Sequence, residues 1–388
     1  MTCDKEDSTL EGLLQLLSEG DNDCFAQALQ LLLNTAMLIE RQKHLNAQPY
    51  QRTQERVGYA NGFKPKTLQT RLGTMELAIP QVRGATEPFY PRSLEKGLRS
   101  ERALKVALAE MYVQGVSTRK VAKITEQLCG FEVTSSQVSR AAAELDVALE
   151  AWRNRPLGQT PYLLLDARYE KVRQNGQVLD AAVLVAVGVR QDGKRCVLGV
   201  SVAVSEHELH WRAFLKTLVE RGLSGVQLIT SDDHAGLRAA RQAIFGGVPW
   251  QRCQFHLQQN AQAYVPKQEM KAPVAAELRA VFNAPDRLAA GALLKQMIEG
   301  YEQSAPKLSA WLEENATQGF TVFALPEAHR RVLRTSNGLE RVNKEIRRRT
   351  RVAGLFPNEA SCLRLVSAIL MEISEEWETG KVYLTMRD

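Results

Sequence analysis

No apolar run in the 388-residue sequence approaches the roughly 18–20 residues that a membrane-crossing helix requires, so no such helix is expected. Residues 1–7 are acidic where a secretory leader needs a basic start, and export is not expected. The six cysteines (3, 24, 129, 196, 253 and 362) are scattered, with no CxxC pair and no small-domain framework. Reduced thiols in a cytoplasmic protein fit that pattern better than disulfides. His44, His207, His210 and His329 lack a nucleophile at a recognisable spacing and read as surface or structural residues. There is no internal repeat and no low-complexity tract.

What is present is charge in an uneven distribution. Residues 1–40 hold eight acidic side chains and one basic, whereas residues 41–100 hold eleven basic and four acidic. A second basic concentration runs from Arg334 to Arg351, within a net charge of +6. Segregated basic stretches are the electrostatic footprint of a phosphate-backbone binder. Each stretch alone is also compatible, to a lesser degree, with a solvated charged surface. The length leaves room for two or three domains with cores of their own.

Apolar residues recur at helical spacing over 9–45, as in Leu13, Leu16, Leu17, Ala28, Leu29 and Leu32. With acidic flanks, this stretch (1–48) reads as a helical association region. Residues 49–99 change character: 68–79 alternates around Gly73 as a β-hairpin, and Lys64, Lys66 and Arg71 make it basic. Residues 100–155 are helical. Ser117 is placed to cap one helix, and Thr134 with Gln137 has the capping-box spacing for the next. The exposed residues of that second helix would include Ser135, Ser136, Ser139 and Arg140. Helix, glycine-containing turn and short polar helix suit a helix-turn-helix DNA reader, a pattern that generic helical hairpins share.

From 156 to 388 the pattern is α/β. Strands are expected at 162–166, 181–189, 195–204 and 226–230, with a helix at 210–221 and a fifth strand at 250–256. Three strands, a helix and two more strands is the order of an RNase H-like domain. Residues 257–330 are β-poor and read as an all-helical insertion, followed by a helix over 337–350. The fold class is therefore α/β: an RNase H-like core with a mixed five-stranded sheet and a helical insertion. Mainly helical DNA-binding and dimerisation regions precede it.

Asp166 and Asp232 each follow an apolar strand, and ligand sites gather at the carboxyl edge of open α/β sheets. Neighbouring strands would aim both carboxylates at one point. Hard Mg²⁺ takes such oxygen ligands together with water and substrate phosphate. Two such ions, about 3.5–4 Å apart, serve in-line phosphoryl displacement. A strand-end Asp is as readily a simple cap, and Asp233 competes with Asp232 on the opposite face. Glu340 heads a helix whose face also holds Asn343, Lys344, Arg347 and Arg351, above a buried stripe of Leu339, Val342 and Ile346. A carboxylate followed by guanidinium groups suits a metal site beside a phosphate backbone. Asn337 and Glu340 also have capping-box spacing, so Glu340 as a simple cap stays open. Cys253 and His256 lack a second Cys/His pair, which argues against structural zinc.

Taken in order, these segments resemble the Mutator-type transposases of bacterial insertion sequences. The likeness runs from about 54 to 356. It rests on Gly58-Tyr59-Ala60-Asn61-Gly62-Phe63, on Leu165-Asp166-Ala167-Arg168-Tyr169 and on Trp211-Arg212-Ala213-Phe214-Leu215. Further on it rests on Ser231-Asp232-Asp233-His234-Ala235-Gly236-Leu237, Cys253-Gln254-Phe255-His256 and Asn337-Gly338-Leu339-Glu340-Arg341-Val342-Asn343. One departure is visible before Val248, where Ile244, Phe245 and Gly246 stand and proline is delayed to Pro249.

The resemblance implies a DDE triad at Asp166, Asp232 and Glu340, served by two Mg²⁺ or Mn²⁺ ions. It implies supporting roles for Trp211 and for a Cys-x-x-His element at Cys253 and His256. The implied partners are double-stranded DNA (terminal inverted repeats and target) and a second copy of the chain. No membrane and no small-molecule substrate are expected, and the place of action is the bacterial cytoplasm at the nucleoid. Two rivals remain: a DNA-binding regulator without catalysis, and an RNase H-like junction nuclease.

Overall fold

The computed structural model describes residues 11–18 and 22–386. The chain divides into two compact units, one ending at Glu144 and the other starting at Leu145. Of the helical stretch expected at 9–45, residues 9, 10 and 19–21 lie outside the described residues.

In the first unit a helical segment at 11–18 precedes α1 (Asn22–Leu45). A two-stranded ribbon, β1 (Tyr59–Thr70) and β2 (Gly73–Arg83), follows. Met37 of α1 is fully buried in a core with Leu68, Met75, Leu77 and Ile79. The Asn34 side chain accepts the Ala78 amide at 3.0 Å, fixing helix to ribbon. The ribbon is longer than the hairpin expected at 68–79. Asn61-Gly62 does not break it but forms a bulge, with Gly62 at φ +71 and a register shift between Ala60 and Phe63. Each strand has one edge that faces away from its ribbon partner, where Pro65 and Pro80 can direct the missing N–H.

Three helices complete this unit: α2 (Arg102–Val113), α3 (Thr118–Cys129) and α4 (Ser135–Ala143). The capping residues do what their chemistry dictates. Ser117 Oγ accepts the Lys120 amide at 3.3 Å, and Thr134 and Gln137 form a full capping box. Gly130 ends α3 in the left-handed region, which lets the chain turn into α4. Leu104, Leu108, Val121, Val133 and Val138 make the shared core.

The second unit opens with α5 (Asp146–Arg153), then β3 (Tyr162–Gln174), β4 (Gln177–Val189), β5 (Arg195–Ala203), α6 (Glu208–Glu220), β6 (Leu228–Ser231), α7 (Ala235–Phe245) and β7 (Trp250–Arg252). The strands form one mixed sheet in the order β5-β4-β3-β6-β7. β3, β4 and β5 are antiparallel, whereas β6 runs parallel to β3 and β7 parallel to β6. The first and fourth strands of this sheet are thus neighbours. β3 does not end at Asp166 as expected. It continues to Gln174 and turns through Asn175-Gly176, both with positive φ, the two-residue turn that matches strand twist. β7 is also shorter than expected, and residues 254–256 are helical. Trp211, Phe214, Leu215 and Leu218 of α6 pack with Leu163, Leu165, Leu184 and Leu198 on one face of the sheet.

Helices then follow without a strand: α8 (Gln254–Gln262), α9 (Lys271–Phe282), α10 (Arg287–Tyr301), α11 (Pro306–Asn315) and α12 (Glu327–Leu333). They bury a core of their own around Leu257, Leu278, Leu294, Leu308, Leu312 and Phe320. The chain returns to the sheet through α13 (Asn337–Thr350) and α14 (Glu359–Thr379), and α14 packs on β5 and β3. Among the described residues no helix is long and apolar enough to cross a membrane.

Candidate active site

The parallel register pairs Leu164 with Thr230. Two residues further along each chain, Asp166 and Asp232 come level. Asp166 lies past the last β3–β6 pair, so its carboxyl stands where the two chains part. Its Oδ2 accepts a hydrogen bond from Asn343 Nδ2 at 2.7 Å. Burial pushes this carboxyl up to about 6, with Asp232 and Glu206 adding to the rise and His256 and the Ala167 amide opposing it.

The structure separates Asp232 from Asp233. Both oxygens of Asp233 are engaged: Oδ1 with Arg238 Nε at 2.8 Å and Oδ2 with Arg252 Nη1 at 3.1 Å. Asp233 is thus a buried ion-pair partner, and His234 holds the N-cap position of α7. Asp232 keeps a 41% exposed side chain and carries no comparable pairing. His256 Nδ1 lies 3.9 Å from Asp232 Oδ1 and makes no hydrogen bond.

His256 stands in the first turn of α8, and Cys253 is that helix's N-cap. Ser336 donates to the Cys253 sulfur twice, from its amide and its hydroxyl, each at 3.3 Å. Contact with Cys253 pushes the imidazole up to about 9 against the cost of burial, and Asp232 and Asp166 add to the rise. Burial raises the thiol, but His256 and Ser336 outweigh it and hold Cys253 below the ordinary range.

Glu340 is the fourth residue of α13, whose N-cap is Ser336. Its Oε1 is buried without a partner. Leu339, Val342 and Ile346 are buried, as the stripe demanded. α13 is strapped along the extended half of β3. Besides the Asp166–Asn343 bond, Arg168 donates to the Asn343 carbonyl and Glu170 accepts from Thr350 Oγ1 at 2.9 Å. Alternate residues of β3 share one face, and these are the ones that meet the helix.

Two residues the sequence did not single out belong here. Glu206 accepts from Trp211 Nε1 at 3.2 Å and from Tyr169 OH at 3.1 Å, and lies 3.4 Å from His234 Nδ1. Trp211 is fully buried and orients that carboxylate. Arg349, buried at 6% exposure, pairs with Glu345 and Glu372 and so serves packing. The Asn175-Gly176 pair was the signal for the long β3 strand.

Among the described residues no three Asp, Glu, His or Cys side chains close into one metal-holding cluster. A hard divalent ion needs fewer, because Mg²⁺ keeps several waters and takes one or two carboxylates plus substrate phosphate. Two buried acceptor oxygens without donors, Glu340 Oε1 and Asn343 Oδ1, stand one helical turn apart on α13, the helix bonded to Asp166 through Asn343. An all-oxygen donor set with unmatched lone pairs fits such an ion.

The residues read as DNA contacts fall into both units. Ser135, Ser136, Ser139 and Arg140 are exposed on α4, and Lys64 is exposed on β1. Lys66 donates to Tyr90 OH at 3.2 Å, and Arg71 pairs with Glu101 at 3.2 Å. Lys344, Arg347 and Arg351 are exposed along α13, whereas Asn343 is half-buried against Asp166.

The chain belongs to the Mutator family of transposases, whose model matches residues 2–380. It is similar to the transposase for insertion sequence element IS406 of Burkholderia multivorans, 57% identical over 381 residues and 98% of each chain. It is also similar to the transposase for element ISRM5 of Rhizobium meliloti, 43% identical over 96% of this chain and 93% of the relative. The transposase for element IS1081 of Mycobacterium tuberculosis is 36% identical over 99% of this chain and 92% of its own length.

Proposed function

We propose that the protein is an insertion-sequence transposase that binds double-stranded DNA at the element's terminal inverted repeats and cuts and joins it through Asp166, Asp232 and Glu340. What supports this reading is Asp166 at the β3–β6 edge, with Asp232 near enough to raise its carboxyl, bonded through Asn343 to the helix that also carries Glu340. The strand order β5-β4-β3-β6-β7 supports an RNase H-like core.

Two Mg²⁺ or Mn²⁺ ions, when bound, would activate a water or 3′-hydroxyl and stabilise the leaving oxygen. Asp166, Asp232 and Glu340 are the residues to hold them. Asn343 fixes Asp166 through one oxygen. Charged His256 balances Asp232 in the absence of a cation. Lys344, Arg347 and Arg351 extend from the site along α13, placed to hold successive phosphates. The reaction is hydrolysis of a phosphodiester at the element end, followed by attack of the freed 3′-hydroxyl on target DNA.

A homodimer is part of this reading. Phe25, Leu32 and Ile39 are 44%, 49% and 41% exposed at seven-residue spacing on α1, a stripe suited to a copy of itself. Lys64, Lys66, Arg71 and the exposed face of α4 are read as the end-binding surface, in the bacterial cytoplasm at the nucleoid. A strand-transfer assay with Mg²⁺ on the DNA flanking the gene tests the whole. A regulator would not cleave, and a junction nuclease would cleave without joining.

A further inference from the structure

A cavity of about 180 Å³ beside the carboxylates is not used by the reaction described above. Its lining includes Gln254, Phe255, Gln258, Arg279, Arg334 and Thr335. Phe255 is 44% exposed on the first turn of α8, and its ring meets that of His256 edge-on at 5.5 Å. His256 in turn lies 3.9 Å from Asp232. On the other wall Thr335 precedes Ser336, the residue bonded to Cys253. The cavity is therefore one ring away from the candidate metal site.

Its charge is unbalanced. No carboxylate lines it, and neither Arg279 nor Arg334 has an ion-pair partner among the described residues. Arg334 donates only to neutral acceptors, Asn283 Oδ1 at 2.5 Å and the Phe282 carbonyl at 3.5 Å. Burial, then the neighbouring Arg331, pushes its guanidinium below the ordinary range. A partly desolvated cation without a counter-charge calls for an anion. Beside it stand an accessible aromatic face and an amide (Gln258) with donors and acceptor. Phosphate, base face and base edge would each find a complement here.

We propose that this cavity receives one nucleotide of the DNA strand next to the bond being cut, its base lifted from the duplex onto Phe255 and its phosphate held by Arg334 and Arg279. The proposal rests on the transposase reading and names which part of the DNA that reading leaves without a seat. Lifting one base costs stacking and pairing, which the aromatic face and the guanidinium groups offset.

The test uses the full chain in EDTA, so that no cleavage occurs, with duplexes of the DNA flanking the gene. Each duplex carries 2-aminopurine at a single position through the element end. A base leaving the stack brightens. The wild type is expected to brighten one position, or two adjacent ones, Phe255→Ala to lose that signal, and Phe255→Trp to keep it. Phe255→Ala should also weaken binding about tenfold, the low end of what one base stacked on an aromatic contributes. Arg334→Gln and Arg279→Gln should each flatten the salt dependence of binding by about one unit. Arg279 is exposed and its side chain has no hydrogen-bond partner among the described residues, so its variant is informative even if Arg334→Gln disturbs Asn283.

Darkness at every position, or equal brightening by Phe255→Ala, overturns the proposal while binding and cleavage by the wild type leave the transposase reading intact. A wild type that does not bind the flanking duplex at all sinks both. Displacement of the duplex by thymidine 5′-monophosphate at micromolar concentration would assign the cavity to a free nucleotide instead.

Discussion

Asn343 Nδ2 stands 2.7 Å from Asp166 Oδ2, a bond that joins residues 177 positions apart. Together with the Arg168 contact to the Asn343 carbonyl it sets where α13, and hence Glu340, lies along β3. Asn343→Ala should therefore lower cleavage by about 10–100-fold, the usual cost of losing a residue that orients a metal ligand. DNA affinity should stay near wild type. A loss seen only in affinity would place Asn343 on the DNA instead.

Asp233 and Asp232 are expected to fail differently. Asp233→Ala leaves Arg252, at 4% exposure, without its carboxylate. Removing one partner of a buried pair costs about 3–5 kcal/mol. Thermal unfolding should show a clear drop in Tm, while cleavage per folded molecule persists. Asp232→Ala should do the reverse. Equal Tm values for the two variants would contradict this division.

Asp166 gives a stability signature with a definite sign. Its folded-state value, about 6, lies above the ordinary 3.8, so the fold favours the protonated form. That contribution is fully present below 3.8 and is lost as pH rises through 6. Asp166→Asn should thus stabilise the metal-free protein above pH 6, by about 3 kcal/mol at most. The gap should narrow as pH falls toward 4. Added Mg²⁺ should raise the Tm of the wild type and leave the variant unmoved. A variant that melts lower than wild type at pH 8 in EDTA would show that the carboxylate is not strained by its surroundings.

Arg347 and Arg351 lie exposed at i+7 and i+11 from Glu340 on an uninterrupted helix and its C-cap. Each phosphate contact adds nearly one unit to the salt slope of binding. Replacing both with Gln should flatten that slope by about two units, with metal affinity in the absence of DNA unchanged. An unaltered slope would make them a solvated face.

Local chemistry was readable in advance wherever it was self-contained. The caps at Ser117 and Thr134, the polar face of α4 and the buried stripe of α13 all follow from spacing, and each is found where spacing puts it. The β3–β6 adjacency followed from the order of elements. What was missed depends on partners distant in sequence or on a signal passed over. Asp166 read as a strand end because the apolar run stops there, yet pairing with β4 carries β3 on to Asn175-Gly176. His256 falls inside the fifth strand expected over 250–256, but the chain turns helical after Cys253. The clasp of Asn343 on Asp166 and the gathering of Trp211, Tyr169 and His234 around Glu206 have no local signature.

The central claim is that three carboxylates do the chemistry and leave end recognition to other surfaces. Asp166→Ala, Asp232→Ala and Glu340→Ala are compared with wild type on the DNA flanking the gene, in Mg²⁺, scoring end binding by gel shift and strand cleavage and joining on the same duplex. Binding should survive in all three, with cleavage and joining below detection in each. Full cleavage by any one of them would remove that residue from the triad and contradict the account.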